Sequence, residues 1–508
     1  MSYLFWRKGS ENVPHRHNNR QEKFVWLKAD AVKNNVIYLP MIMAIHLIYD
    51  IDMEHQANEP TIQQQVSTDN RVTVAILADG SRNHVRDILN LASDVNHGEA
   101  DFVFTIIGDI SDADLGQLQG ELNYIKRVTS ISEAIEQCTT RWIMFCDSAT
   151  RLVSKVVYQL LAKANESGAR AVISGLDRPE ESIFTMQGKL FAVDALRDVE
   201  ISRADVRGDG YITLQRAMQR ASSVAGIGES IFSRIDLSDM RRVLTPAHRE
   251  LLYRMGTLYV EIQLCDRCNL DCAYCSHLSP VSKPVTISLE TLEAECRRLA
   301  RVGVHEVNLM GGEPLLHPQV CEAIRLTRSI LPDIKLIIST NGLLLPRMSK
   351  GFWQCCHDNK VVLRITPYPK SKGGTWNYFK YVWLIRKHGV KMESTGWRFG
   401  FRHQLLSERA EYDATSNYLR CQLHCTQVRD ATLWPCAYVA YAFNLNNKFG
   451  TNFKTAPADR LPLDGITATD LRLWLLRTKP FCAHCGIKDA KHVTWRRSTY
   501  SRAEWLKE

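Results

Sequence analysis

Cysteine is scarce where the chain begins and plentiful where it ends. Of 15 cysteines, only Cys138 and Cys146 precede residue 250. Thiol chemistry is therefore sought in the second half. Long apolar runs are missing as well. The most apolar stretch near the start, residues 36–49, contains Pro40 and His46 and falls short of the ~20 residues a membrane-spanning helix needs. The N-terminus lacks a charged segment, short apolar core and small-residue cleavage site in succession, so no secretory signal is expected. An uncleaved chain of this kind belongs in a reducing cytoplasm, where clustered cysteines bind metal or carry redox chemistry more often than they form disulfides. Acid is the third shortage. Residues 251–508 carry 22 Asp+Glu against 36 Lys+Arg, whereas residues 1–250 carry 33 against 28. What remains is ordinary globular composition. The 508 residues are 45% hydrophobic and 23% charged, which excludes a fibrous or disordered chain and suggests about three domains.

Residues 1–70 show no period and run out through Gln63, Gln64, Gln65, Ser67, Thr68, Asp69 and Asn70, which reads as an extension ending in a linker. From Arg71 short apolar strands alternate with helices. Strands are expected at 72–78, 102–107, 142–145 and 171–174, with helices at 85–92, 131–137 and 153–164. That alternation predicts an α/β fold with a mostly parallel sheet. Trp142-Ile143-Met144-Phe145-Cys146-Asp147, then Leu152, a helix ending near Gly168, Gly188-Lys189-Leu190-Phe191-Ala192-Val193 and Asp209-Gly210 give residues 71–235 their character. This Rossmannoid region resembles a GT-A glycosyltransferase. The resemblance implies paired carboxylates at the strand end, holding a metal and a nucleotide-sugar diphosphate. Ser148 and Ala149 follow Asp147, so the second carboxylate is missing. The expected role is a retained scaffold for docking or nucleotide binding. Residues 236–256 read as a linker.

The informative segment is Leu264-Cys265-Asp266-Arg267-Cys268-Asn269-Leu270-Asp271-Cys272-Ala273-Tyr274-Cys275. Cys268, Cys272 and Cys275 have the spacing C-x3-C-x2-C. Three thiolates on one loop can hold three corners of a cubic iron–sulfur cluster. A [4Fe–4S] cluster commonly takes four Cys, so one iron would stay open. Zinc is the alternative, although structural zinc sites usually pair cysteines across a longer gap. A helix at 289–302 follows, with Ser288 as N-cap and Gly303 as stop. A strand then runs into Gly311-Gly312-Glu313-Pro314, a second βα unit ends at Ser339-Thr340-Asn341-Gly342, and a third strand reaches Thr366-Pro367.

In this order the segments resemble the radical S-adenosylmethionine (radical SAM) superfamily. Tyr274 is the aromatic residue before the third Cys, and residues 266–270 are similar to its molybdenum-cofactor and peptide-maturase branches. The resemblance implies a partial (β/α)6 TIM barrel over residues 257–415, with its site at the strand ends. It implies that Cys268, Cys272 and Cys275 bind a [4Fe–4S] cluster and that Gly311, Gly312, Glu313 and Pro314 meet the amino group of SAM. Ser339, Thr340 and Asn341 would add further contacts. One electron, from a donor such as flavodoxin or ferredoxin, would cleave SAM to methionine and a 5′-deoxyadenosyl radical that abstracts hydrogen from an inert C–H bond. Cys265 stands where the family often has Ser or Thr and is expected to pack.

Residues 416–508 hold Cys421, Cys425, Cys436, Cys482 and Cys485. The arrangement resembles the twitch domain, the shorter relative of the SPASM domain, and implies one auxiliary [4Fe–4S] cluster on Cys425, Cys436, Cys482 and Cys485, with Cys421 as a replacement ligand. Ala431 stands where the family usually has Gly. A structural zinc in the same thiolates is the alternative. Cys296, Cys321, Cys355 and Cys356 are expected to be buried or idle.

Residues 347–402 contain 12 Lys+Arg, 11 aromatics and two acids, Asp358 and Glu393. The tail repeats the theme with Lys491, Trp495, Arg496, Arg497, Tyr500, Arg502, Trp505 and Lys507. Cations attract phosphates and aromatic faces stack on bases, so a nucleic acid or nucleotide-linked substrate is expected. The alternative is packing for the aromatics and a solvated surface for the cations. The leading functional expectation is a radical SAM enzyme that modifies or isomerises a substituent on a nucleic acid base. Hypermodified phage DNA, where related radical SAM enzymes are known, is the example, and the host cytoplasm is then the location. Maturation of a ribosomally made peptide and action on a nucleotide sugar are the alternatives.

Overall fold

The computed structural model describes residues 71–508 apart from 79–83, 96–101, 123, 149, 180–183, 235–243, 369–373, 395–399 and 422–424. The expected extension at 1–70 and part of the expected linker lie outside the described residues.

Among the described residues, nine strands belong to the first half. They are β1 (Val72–Leu77), β2 (Phe102–Ile107), β3 (Ile125–Val128), β4 (Trp142–Asp147), β5 (Arg151–Leu152), β6 (Ala171–Ile173), β7 (Leu190–Ala192), β8 (Val224–Gly226) and β9 (Phe232–Arg234). Seven form one sheet in the order β3-β2-β1-β4-β7-β6-β8, while β5 and β9 pair as a separate ribbon. Runs such as VTVAIL in β1 are buried along their whole length, as a sheet covered on both faces requires. The pairing is parallel except around β7, which runs antiparallel to both β4 and β6.

The second half contributes β10 (Tyr259–Cys265), β11 (Glu306–Gly311), β12 (Lys335–Thr340), β13 (Val362–Ile365), β14 (Lys391–Ser394), β15 (Gly400–His403), β16 (Gln427–Arg429), β17 (Thr432–Trp434), β18 (Leu461–Pro462) and β19 (Lys491–Thr494). Strands β10 to β14 lie side by side in sequence order and parallel, joined by crossing helices, which is consistent with a partial barrel core. The helix Leu289–Val302 is capped as its sequence predicts. Ser288 accepts from the Thr291 N–H, and Gly303 takes a left-handed φ of 75°. Its buried stripe includes Leu292, Cys296, Leu299 and Val302.

One arrangement was not foreseen. On the other edge of β10, β16 pairs parallel, then β17 and β18 follow antiparallel. The hairpin between Cys425 and Cys436 is thus an extension of the barrel sheet. Its turn places Asp430 and Ala431 at φ 52° and 56°. Strands β15 and β19 form a separate antiparallel pair that brings the tail back toward β10.

Both sheets feed one apolar cluster. Leu77, Ile143 and Phe191 from the first sheet share it with Met255 of the helix Pro246–Thr257 and with Leu309 and Leu363 of the second sheet. Hydrogen bonds reinforce it. The Tyr211 hydroxyl and Gln215 Nε2 donate to the Leu476 carbonyl at 3.0 and 2.9 Å, and the Thr478 N–H donates to Gln215 Oε1 at 2.8 Å.

Candidate functional site

Strand β10 ends at Cys265 and releases the cysteine loop. The loop is bound directly to the Gly311–Pro314 segment. Gly312 N–H donates to the Cys265 carbonyl at 2.8 Å, Glu313 N–H to the Arg267 carbonyl at 2.9 Å, and the Cys265 thiol to the Glu313 carbonyl at 2.9 Å. Cys265 is buried and packs, as expected. A Cβ on Gly312 would sit 2.3 Å from the Arg267 carbonyl oxygen, and one on Gly311 2.3 Å from that of Cys265. Here the glycines let one loop's backbone approach another's.

Glu313 is 1% exposed. Its carboxylate accepts from the Leu315 N–H at 3.1 Å, the Thr340 hydroxyl at 2.7 Å and the Asn341 N–H at 3.0 Å. Burial pushes this carboxyl up to about 7 against the pull of those donors. Asn341 Nδ2 in turn donates to Asn269 Oδ1 at 2.7 Å, inside the cysteine loop. Pro314 opens the buried turn Pro314–Leu316, and Ser339 is half-buried on β12. The cysteine loop and the ends of β11 and β12 therefore form one hydrogen-bonded unit.

Within the loop Cys272 is buried, and Cys268 and Cys275 are half-buried. Burial raises all three thiols, Cys272 to about 12, and nearby thiolate charge adds to the rise at Cys268 and Cys272. Asp271, Tyr274 and Leu278 hold left-handed φ of 49°, 65° and 57°. Such strain persists only where surrounding contacts enforce it.

The tail supplies those contacts. Trp495 Nε1 donates to the Cys272 sulfur at 3.0 Å and Trp505 Nε1 to the Cys275 carbonyl at 3.1 Å. The Ala273 N–H donates to the Arg496 carbonyl and the Ser498 N–H to the Asp271 carbonyl, at 3.0 and 2.8 Å. Arg496 donates to the Tyr274 hydroxyl at 3.0 Å, and His403 lies against the Tyr274 ring at 4.1 Å. The tail cations also have partners within the chain. Arg496, Arg497, Arg502 and Lys507 are paired with Glu504, Asp271, Glu408 and Glu411 at 2.6–2.9 Å. Trp505 is fully buried.

The second cysteine set lies at the other side of β10. Cys425 precedes β16, Cys436 stands at the N-cap of the helix Ala437–Phe449, and Cys482 and Cys485 lie on and after the turn Pro480–His484. Asn417 Nδ2 donates to the carbonyls of both Cys482 and Cys485, at 3.0 and 2.6 Å. Burial pushes Cys436 up to about 12 and Cys425 and Cys482 well above the ordinary thiol value; Cys421 adds to the rise at all three. Arg254 is 1% exposed and donates to the Thr426 hydroxyl. Its Nε and Nη1 are buried without a hydrogen-bond partner among the described residues, and its charge opposes the rise at Cys425 and Cys436. Tyr438 is buried, and burial first, then charge on Cys485, Cys275 and Cys436, pushes its hydroxyl well above the ordinary value. Among the described residues no three His, Cys, Asp or Glu side chains gather tightly enough to hold a single metal ion.

Sequence reasoning missed the polar inner side of the barrel sheet. Glu261 on β10 faces Asn308 on β11 and Gln427 on β16. Asn308 Nδ2 donates to the Tyr259 hydroxyl at 2.9 Å, and Gln427 Nε2 to Glu261. The signal was present as Tyr259, Glu261 and Gln263 alternating with Val260, Ile262 and Leu264. The basic, aromatic window divides. Phe352, Trp353 and Tyr381 are buried, and Arg364 pairs with Glu393 at 2.9 Å. On the helix Gly374–Lys387, Phe379 and Trp383 are 61% and 57% exposed, with Lys387 Nζ 4.8 Å above the Trp383 ring. Trp397 and Phe399 lie outside the described residues. In the first sheet, Asp147 is paired with Arg207, while Arg203 donates to the Ala78 and Ile107 carbonyls at 2.6 and 3.0 Å.

Residues 262–357, which carry the cysteine loop and the ends of β11 and β12, match the radical SAM superfamily model. Over this segment the chain is similar to the radical SAM superfamily. GTP 3′,8-cyclase of Pelotomaculum thermopropionicum is 38% identical over 102 residues, 20% of this chain and 31% of that protein. GTP 3′,8-cyclase 1 of Mycobacterium tuberculosis is 28% identical over 257 residues, 46% of this chain and 70% of that protein. The chain thus spans about a third of the length of the first relative. Among solved structures, Streptococcus suis SuiB bound to S-adenosylmethionine has a TM-score of 0.24 at 18% identity, covering 29% of this chain and 37% of that one. S. aureus TarS 1–349 with UDP-GlcNAc scores 0.28 at 9% identity, covering 57% of this chain and 80% of that one. Neither score establishes a shared fold. No helix among the described residues is long and apolar enough to cross a membrane.

Proposed function

We propose that the chain is an enzyme that draws a radical from SAM and uses it on a nucleotide-linked substrate, with a substituent on a nucleic acid base as the preferred target. The observation that carries this is the joining of the cysteine loop to both neighbouring strand ends through Glu313 and Asn341. The donor set fits an iron–sulfur cluster. Cys268, Cys272 and Cys275 are sheltered thiols on one strained loop, and a cationic cluster relieves the mutual repulsion of their thiolates. When bound, the cluster and SAM supply an organic radical able to remove hydrogen from an unreactive carbon. The chain's residues orient and shield. Glu313 and Asn341 fix the loop, Gly311 and Gly312 keep the backbone close, and the tail excludes water.

Cys425, Cys436, Cys482 and Cys485 form the second proposed set, with Cys421 beside them and the buried Arg254 guanidinium as counter-charge to an anionic thiolate cluster. We assign residues 71–235 to a scaffold, because Asp147 is already neutralised by Arg207 and the Ala78 and Ile107 carbonyls are bound by Arg203. Residues 257–415 are assigned to the radical-generating core and 416–508 to the auxiliary part. A nucleotide-linked substrate is favoured by the outward Phe379, Trp383 and Lys387 and by similarity to proteins named GTP 3′,8-cyclase.

The test is anaerobic reconstitution, iron counting and assay of SAM cleavage to 5′-deoxyadenosine, followed by nucleoside mass spectrometry of DNA and RNA with and without the gene. Iron loading, SAM cleavage and an altered nucleoside are expected. SAM cleavage stimulated only by a peptide would overturn the substrate assignment, and absent iron would overturn the enzyme.

A further inference from the structure

The Cys272 sulfur receives a hydrogen bond from far outside its own loop. Trp495, 223 residues along the chain, directs its indole N–H at that sulfur over 3.0 Å and is 8% exposed. The ring is not free to swing away. An isolated antiparallel bridge joins Cys272 to Arg497, and main-chain bonds from Ala273 and Ser498 flank it. Arg497 is paired with Asp271 at 2.9 Å, and Trp505, fully buried, closes the same strap on the Cys275 carbonyl.

Hydrogen bonds to the sulfurs and exclusion of solvent are two of the means by which a protein sets the potential of an iron–sulfur cluster. Reduction adds negative charge to the cluster and its thiolates. A fixed N–H pointing at one of those sulfurs stabilises the more negative state, and so raises the potential. We propose that Trp495 is a positioning residue that sets the reduction potential of the cluster held by Cys268, Cys272 and Cys275, through its indole N–H on Cys272. The strap 491–505 holds that ring in place and covers Cys272. The proposal rests on the reading of the cysteine loop given above.

Two variants separate the N–H from the bulk of the strap. Trp495→Phe keeps an aromatic ring and removes the donor to sulfur. Trp505→Phe removes a donor to a backbone carbonyl and leaves Cys272 untouched. Both would be reconstituted beside the full-length parent protein and followed by EPR during redox titration, reading the cluster whose signal changes on SAM addition. Trp495→Phe is expected to retain iron and to shift to a more negative midpoint. At the parent's midpoint its oxidised-to-reduced ratio should rise about tenfold, equivalent to ~59 mV for one electron. Trp505→Phe should keep the parent midpoint. An unchanged midpoint in iron-loaded Trp495→Phe, or an equal shift in Trp505→Phe, overturns the proposal. If Trp495→Phe fails to hold iron, parent protein grown on 15N-tryptophan decides the matter. A 15N coupling on the SAM-responsive signal supports the contact, and its absence refutes it. No SAM-responsive cluster in the parent removes the underlying reading and the proposal with it.

Discussion

Glu313 shows how one buried side chain ties sequence-distant loops together. Its carboxyl is raised to about 7 by burial, against an ordinary value of 4.5. The folded state therefore holds the proton longer than the unfolded chain. Its stabilising contribution is complete below about pH 4.5 and is lost as pH rises through about 7, a swing on the order of 3 kcal/mol. Without SAM, the thermal midpoint should drop less between pH 5 and pH 8 in Glu313→Gln than in the parent; equal drops would show that the group does not titrate this way. At this scale the sequence was legible where chemistry is local. Cys268, Cys272 and Cys275 announce themselves by spacing within eight residues. Trp495 does not, because its meaning depends on a partner 223 residues away. Nothing in the sequence tells that Glu408, Glu411 and Asp271 would reach the tail cations.

Elements were read well where period and caps agree. The helix Leu289–Val302 carries its stop signals at both ends, and β2 keeps its apolar run from Phe102 to Ile107. The hairpin β16–β17 was not read as part of the barrel sheet, since its strands have only three residues each and β16 pairs with β10 across a long gap in sequence. Its turn is strained. Ala431 holds φ 56°, a region that disfavours residues with a Cβ. Ala431→Gly should stabilise the protein by about 1 kcal/mol in denaturant unfolding, and a loss of stability would refute the strain. The opposite substitution is expected at the end of β11. Gly312→Ala pushes a methyl into the Arg267 carbonyl at 2.3 Å and so displaces the cysteine loop. Iron bound after reconstitution should fall severalfold while far-UV circular dichroism stays unchanged. Full iron loading would show that the loop tolerates the shift.

In the whole molecule, two sheets share one apolar cluster and a clamp on a single carbonyl. Sequence reasoning placed a linker at residues 236–256 because it fell between two family resemblances, which report motifs and not contact. The apolar faces of the helix Pro246–Thr257 gave no hint that both sheets would use them. Removing both donors to Leu476, by Tyr211→Phe with Gln215→Ala, should cost about 2 kcal/mol and leave the two halves melting closer to separately. A single unshifted transition in calorimetry would show the clamp to be idle.

The strap also has a place in time. Cys275 leaves the ribosome 230 residues before the Trp505 that covers its carbonyl. At roughly 5–20 residues per second, the cysteine loop of a nascent chain stands uncovered for about 10–50 s. If the loop holds the proposed cluster, that interval is the opening for iron delivery. A chain finished before iron arrives closes over an empty loop, so the yield of loaded protein in a cell should follow the rate of translation as well as the supply of metal.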